Sequence, residues 1–245
     1  MMKKGSFVLL IVLGQSVAAA NNQLEEQSES LLKSSSAKLT CNDMDGDNAK
    51  YFTDYIPQLS IKDISFCNVS GIWILYDEEN YTGSTSFWMY GYKNIVKLPT
   101  QLKNHIKSLR FPGAPDDWKA SSINIYSQEL FMGQEEFSYD DIPEFKIEAS
   151  SIIITGCEPW TVFMETNYQG SSRCLFPSDV EKCSPGLFPT YSSLNKGAAG
   201  KVFSAQRGCN DKESQQIKNQ LGVISSPSSA GASGTLYSRI SENLL

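Results

Sequence analysis

The residues that could do chemistry in this chain are few, and their spacing argues against catalysis. His105 is the only histidine. A histidine-dependent nucleophile would have to recruit it, and nothing around it resembles a nucleophile elbow. The carboxylate pairs Glu135 with Glu136 and Asp140 with Asp141 are adjacent in sequence. On a strand, adjacent side chains face opposite ways and cannot converge on one substrate. An acidic cluster, Asp43-Met44-Asp45-Gly46-Asp47 with Asp54 downstream, superficially follows an EF-hand loop. Its glycine stands at loop position four rather than six, its last position is Asp rather than Glu, and no helices flank it, so a solvated acidic turn is expected. No enzymatic activity and no cofactor are expected.

The six cysteines, Cys41, Cys67, Cys157, Cys174, Cys183 and Cys209, contain no CxxC spacing. An even count in an oxidising compartment favours disulfides over metal ligation. The compartment is indicated by the first twenty residues. Lys3 and Lys4 precede an apolar run from Phe7 to Leu13, which small residues close at Ala18 to Ala20. That is the pattern of a secretory leader cut after Ala20, and the run is too short for a membrane anchor. Secretion to the extracellular space as a soluble product is therefore expected. If each half of the chain closes its own bridges, Cys41 pairs with Cys67. Three pairings remain for the other four, with Cys174 to Cys183 and Cys157 to Cys209 the favoured one. Two sequons, Asn68-Val69-Ser70 and Asn80-Tyr81-Thr82, become open to glycosylation on the secretory route.

The formal charge of −6 and the absence of a dense basic cluster make nucleic acid an unexpected partner. Residues 21–37 lack apolar periodicity and are expected to be a flexible lead. The Ser-rich segment 210–245 is expected to be disordered, apart from a marginal helix near 213–221. Between the tails the chain is written in strands: 72–76, 121–126, 150–155 and 159–164 are rich in β-branched and aromatic residues and bounded by turn formers. Short strands with frequent turns indicate a sandwich or barrel. Trp73, Trp118 and Trp160 read as core. Phe87 and Trp88 are neighbours, so on a strand one of them faces outward as a candidate contact.

A repeat organises these strands. Tyr76, Tyr81 and Gly83 recur at the same offsets as Tyr126, Phe131 and Gly133, and again as Phe163, Tyr168 and Gly170. The spacing suits a folded hairpin in which two rings pack and glycine takes a conformation closed to residues bearing a Cβ. A serine opening a strand follows: Ser65, Ser108 and Ser151. Its hydroxyl can tie the hairpin's backbone. A first, worn copy places Cys41, Gly46 and Asn48 at these offsets, and the fourth serine is unassigned near residues 198–200. Cys41 and Tyr126 stand 85 apart, and Tyr76 and Phe163 stand 87 apart, so the chain repeats at the scale of a domain.

These motifs, with tryptophan opening the second hairpin of each pair at Trp73 and Trp160, resemble the Greek keys of the βγ-crystallin superfamily. The resemblance implies an all-β protein of two Greek-key β-sandwich domains, two motifs each. It spans 38–111 and 121–209, joined by a linker at 112–120. Many such domains bind calcium through two Asn or Asp residues followed by two hydroxyl residues. The matching windows here are 60–65, 103–108 and 146–151. They keep only Asn104, Ser108, Ser150 and Ser151 as weak candidates, and lysines stand among them, so no metal is expected. The implied role is a secreted, disulfide-stabilised structural or interaction protein with an unidentified extracellular protein or glycan partner. The alternatives are a defence or venom-type effector, which would reach a membrane only through a partner chain, and a calcium-binding module.

Overall fold

The computed structural model describes residues 36–43, 48–59, 64–103, 105–194 and 201–209, and the backbone of 233–238. The expected leader, most of the lead, the possible helix at 213–221, Asn104 and the centre of the acidic cluster lie outside the described residues.

The first half contributes β1 (Lys38–Asn42), β2 (Lys50–Phe52), β3 (Phe66–Tyr76), β4 (Thr85–Lys97) and β5 (Ser108–Arg110). β3 and β4 are long because they turn a corner. At Gly71 and Gly91 both have positive φ, and the β3–β4 register shifts between Val69 and Gly71. Before the corner β3 pairs with β1, and after it with β5. One pair of strands thereby serves both layers of a sandwich around Leu39, Val69, Trp73, Leu75, Phe87, Met89 and Phe111. The disulfide Cys41–Cys67 joins residues directly opposed on β1 and β3.

The second half forms β6 (Ser122–Gln128), β7 (Met132–Ser138), β8 (Ser151–Thr155), β9 (Trp160–Phe163), β10 (Ser172–Leu175), β11 (Gly186–Phe188), the short helix α1 (Tyr191–Leu194) and β12 (Ser204–Arg207). Two sheets, ordered β11-β8-β6-β7 and β10-β9-β12, enclose Ile123, Ile125, Ile152, Ile154, Trp160 and Val162. The molecule is thus all-β, with two Greek-key domains.

Three expectations are corrected. Cys157 bonds Cys183, and Cys174 bonds Cys209. The expected pairing was Cys174 with Cys183 and Cys157 with Cys209, but β11 pairs with β8 and carries Cys183 to the end of β8, whereas β10 and β12 both flank β9. Within the tail expected to be disordered, residues Ser233–Ser238 form β13, antiparallel to residues 85–90 of β4. The open edge of β4 supplies unpaired backbone groups, and main-chain pairing offsets the cost of ordering a segment with little to bury. Ala37, at the end of the expected flexible lead, is buried, and its N–H donates to the Pro115 carbonyl. That carbonyl belongs to the connection 112–120, which is itself packed: Trp118 is buried, and Gly113 N–H donates to the buried Asn124 side chain.

The folded hairpins explain the repeat. In each, the two residues before the aromatic-to-glycine step lie in left-handed backbone: Asn80 and Tyr81, Leu130 and Phe131, Asn167 and Tyr168. Such pairs cost free energy in L-residues and persist only where surroundings hold them. Two locks do so. A serine hydroxyl accepts from the second residue's N–H and donates to the carbonyl three residues before it: Ser108 to Tyr81 and Glu78, Ser151 to Phe131 and Gln128. A proline carbonyl from the partner motif accepts from the first residue's N–H: Pro57 from Asn80, Pro189 from Leu130, Pro143 from Asn167. The ring pairs Tyr76–Tyr81, Tyr126–Phe131 and Phe163–Tyr168 then meet edge-to-face, with centroids 5.9, 5.6 and 5.8 Å apart. A Cβ on Gly133 would stand 2.5 Å from Ser127 Oγ at φ +76°, which is why glycine closes the turn.

Ser204 is the serine of the fourth motif: its Oγ accepts from Tyr168 N–H at 3.1 Å and donates to Glu165 O at 2.6 Å. Ser204→Ala leaves two backbone groups without partners. It is expected to cost about 1–3 kcal/mol in equilibrium unfolding, and a loss below a few tenths would show that the lock is not structural.

Candidate functional site

Among the described residues, the most buried arginine meets a largely buried glutamate at the junction between the domains. Arg110 ends β5 in domain 1 and is only 2% exposed. Its Nε donates to Tyr76 Oη at 2.9 Å, and its two terminal nitrogens donate to Gly133 O at 3.0 Å and Phe131 O at 2.7 Å. Tyr76 also donates to Phe131 O, and Ser86 Oγ donates to Leu130 O. The carbonyls of the left-handed turn in domain 2 are thus held by three side chains of domain 1.

Glu135, on β7, faces the same junction. Tyr55 Oη and Tyr126 Oη each donate to its carboxylate at 2.9 Å, and Arg110 lies 3.7 Å away. Glu136 points the other way, toward the Lys146 backbone N–H. Burial pushes the Glu135 pKa up, and Arg110 with the two phenols only partly offsets this. Arg110's forks are spent on carbonyls, so its charge reaches Glu135 without a short hydrogen bond. Burial works against the Arg110 charge too, but Tyr76, Glu135 and Tyr126 outweigh it and hold the guanidinium protonated. Burial, reinforced by Glu135, likewise keeps the Tyr55 and Tyr126 phenols neutral. The Arg110 guanidinium lies 4.6 Å from the Tyr126 ring centre and 4.7 Å from that of Tyr81. Around this polar centre, Ile74, Tyr76 and Trp88 of domain 1 pack on Tyr126, Leu130, Phe131, Met132 and Ile153 of domain 2.

Above the junction opens a cleft of about 1020 Å³, lined among others by Tyr55, Tyr81, Phe111, Gln134 and Phe137. Its walls are aromatic and amide-bearing with the exposed Asp54 carboxylate among them, and its two inner charged groups, Arg110 and Glu135, are already paired. The arrangement can hold an uncharged or aromatic ligand group, but it presents no activated nucleophile.

The other expected residues have structural places. Ser108 and Ser151 spend their hydroxyls on hairpins, and Ser150 Oγ donates to Ser127 O. Lys107 Nζ pairs with Glu78 at 2.8 Å, which puts an ammonium beside Ser108 where a cation ligand would be needed. These residues do not fit calcium. Among the described residues no group of three or more His, Cys, Asp or Glu side chains is arranged for a metal. His105 is exposed. Phe87 enters the domain 1 core, and Trp88 faces out of it to meet Phe131 edge-to-face at 4.9 Å. The outward aromatic therefore contacts the neighbouring domain, not an external ligand. Asn68 and Asn80 are both exposed.

Sequence reasoning missed Arg110 and Tyr55, and took Glu135 only as one of an adjacent carboxylate pair whose members face opposite ways, as they do. A faint signal existed: Arg110 is a lone charge between Leu109 and Phe111 at the end of a motif strand, and Ile56-Pro57, Ile142-Pro143 and Phe188-Pro189 recur where the carbonyl locks lie.

Fold and junction define a two-domain βγ-crystallin-type body closed by a buried polar centre. No protein-family model matches the chain. It is 27% identical over 114 residues to gamma-crystallin 1 of Rana temporaria, a match covering 45% of this chain and 84% of that protein. It is 28% identical over 120 residues to gamma-crystallin-4 of Xenopus laevis, covering 47% and 68%. Geodin, a beta-gamma crystallin from Geodia cydonium, shares the fold with a TM-score of 0.55 at 22% identity, covering 71% of this chain and 99% of geodin. The sequence matches and the shared Greek-key fold support membership of the βγ-crystallin superfamily. The three disulfides point to an oxidising environment.

Arg110→Ala strands Glu135 in the junction and is expected to cost about 3–5 kcal/mol, whereas Arg110→Ala combined with Glu135→Ala, which still leaves Gly133 O and the Tyr55 and Tyr126 hydroxyls short of partners, should cost less than the two single losses together. A double-mutant cycle in urea measures both, and additive losses would dismiss the coupling. The raised Glu135 pKa gives a sign to the pH dependence. The native state binds this proton before the unfolded chain does, so the contribution is full below the ordinary value of 4.5 and is lost as pH rises through the folded pKa. Glu135→Gln should flatten that segment of the stability–pH curve relative to the parent.

Proposed function

We propose that this chain is a secreted, disulfide-stabilised, non-enzymatic structural or interaction protein of βγ-crystallin type. The observation that carries the reading is the junction: the buried polar groups at the centre of the molecule are paired with one another and with turn carbonyls. Function on this reading resides in a durable shape and the surfaces it presents. The leader pattern ending at Ala20 and the three disulfides support export. The partner is an extracellular protein or glycan.

A second reading, an effector that binds a protein, glycan or membrane-borne target, draws on the cleft. Two fixed domains leave it pre-formed, and Phe137 is 39% exposed beside it.

Expression with the native N-terminus in a eukaryotic secretory host tests the first reading. The protein is expected in the medium, beginning at Asn21, with no free thiol and no turnover of ester, peptide or glycoside substrates. Retention in the cell with free thiols, or turnover by the pure protein, would overturn it. For the second reading, Phe137→Ser should abolish binding to target cells while leaving the unfolding midpoint within a few degrees of the parent's.

A further inference from the structure

The outer face of domain 1 carries exposed apolar side chains that the fold does not use. Tyr51 is 75% exposed and Ile95 is 67% exposed. They belong to one cross-strand row. Tyr51 on β2 is paired with Thr40 on β1, Thr40 with Asn68 on β3, and Asn68 with Ile95 on β4. Directly paired side chains on neighbouring strands stand about 5 Å apart, so Ile95 adjoins Asn68 and Tyr51 lies two strands away, about 10 Å.

Asn68 is the acceptor position of a sequon whose geometry follows from the same strand. Val69 is fully buried in the domain 1 core. The strand's alternation therefore places the Asn68 side chain on the opposite face. Asn68 is exposed there. We infer that Asn68 carries an N-linked, N-acetylglucosamine-based glycan that lies across the β2-β1-β3-β4 face and covers Ile95 and Tyr51. The apolar C–H face of a pyranose ring and the acetamido methyl suit an aromatic ring and a branched aliphatic chain. The polar edges of the sugar remain in water. This accounts for two large apolar residues on a sheet face that would otherwise invite association. It also closes this face to protein partners.

The inference rests on the secreted reading, and one experiment separates their failures. The protein is recovered from the medium of a eukaryotic secretory host, and its peptides are weighed before and after treatment with peptide-N-glycosidase. The Asn68 peptide is expected to carry a hexosamine-containing adduct that the enzyme removes. Asn68→Gln is expected to bind more hydrophobic dye and to sediment faster with rising concentration. Adding Ile95→Lys and Tyr51→Ser to that variant should restore the parent's behaviour. An oxidised protein in the medium with bare Asn68 overturns this inference alone, as does a modified Asn68 whose loss changes neither dye binding nor sedimentation. A chain retained in the cell with free thiols overturns it together with the secreted reading.

Discussion

The arrangement depends on a turn whose carbonyls point away from their own domain. Leu130 and Phe131 lie in left-handed backbone, which removes their carbonyls from the β6–β7 ladder and leaves them, with that of Gly133, facing domain 1. Buried carbonyls need donors. Ser86, Tyr76 and Arg110 supply them, and each comes from a different strand of domain 1. The turn is therefore a feature of domain 2 by sequence and a binding partner of domain 1 by hydrogen bonding. Rotating one domain against the other would break all of these bonds at once, along with the Trp88–Phe131 contact.

The same turn is held from within its domain by Ser151 and by the Pro189 carbonyl. The strained conformation and the interdomain contacts thus support each other: intradomain locks present the carbonyls, and the contacts stabilise the presentation. The homologous turns at 80–81 and 167–168 have the same locks but no Arg110 beneath their carbonyls. One geometry repeated three times has been recruited once for joining domains.

Much of the fold was legible because it rests on local rules. Ring, ring and glycine at fixed offsets marked three hairpins, and a serine before an apolar strand marked their ties. The fourth tie was missed because Ser204 stands 36 positions beyond Tyr168, against 27 for Ser108 beyond Tyr81 and 20 for Ser151 beyond Phe131. The insertion hid the period. The disulfides of domain 2 and the strand β13 depend on which strands neighbour one another, and linear spacing does not contain that. Arg110 and Tyr55 were missed, and Glu135 was read only within an adjacent carboxylate pair, for a related reason. Each is an ordinary polar residue in its own segment, and its role arises only where two domains meet.

Charge at this junction has a different effect from the apolar packing around it. Desolvating an ion pair costs about as much as the pair returns, so the attraction between Arg110 and Glu135, as distinct from their hydrogen bonds, adds little net stability. What they add is direction. Ile74, Trp88, Leu130, Met132 and Ile153 could pack in several relative orientations at similar cost, because apolar contact is nonspecific. A guanidinium required to reach Tyr76, Phe131 and Gly133 together accepts one orientation. Any misaligned packing would strand a buried charge, at a cost several times that of a lost methylene contact. The cleft above the junction inherits this definition: Tyr55 bonds Glu135 and packs edge-to-face on Phe111, so the wall of the cleft is set by the same carboxylate that orients the domains.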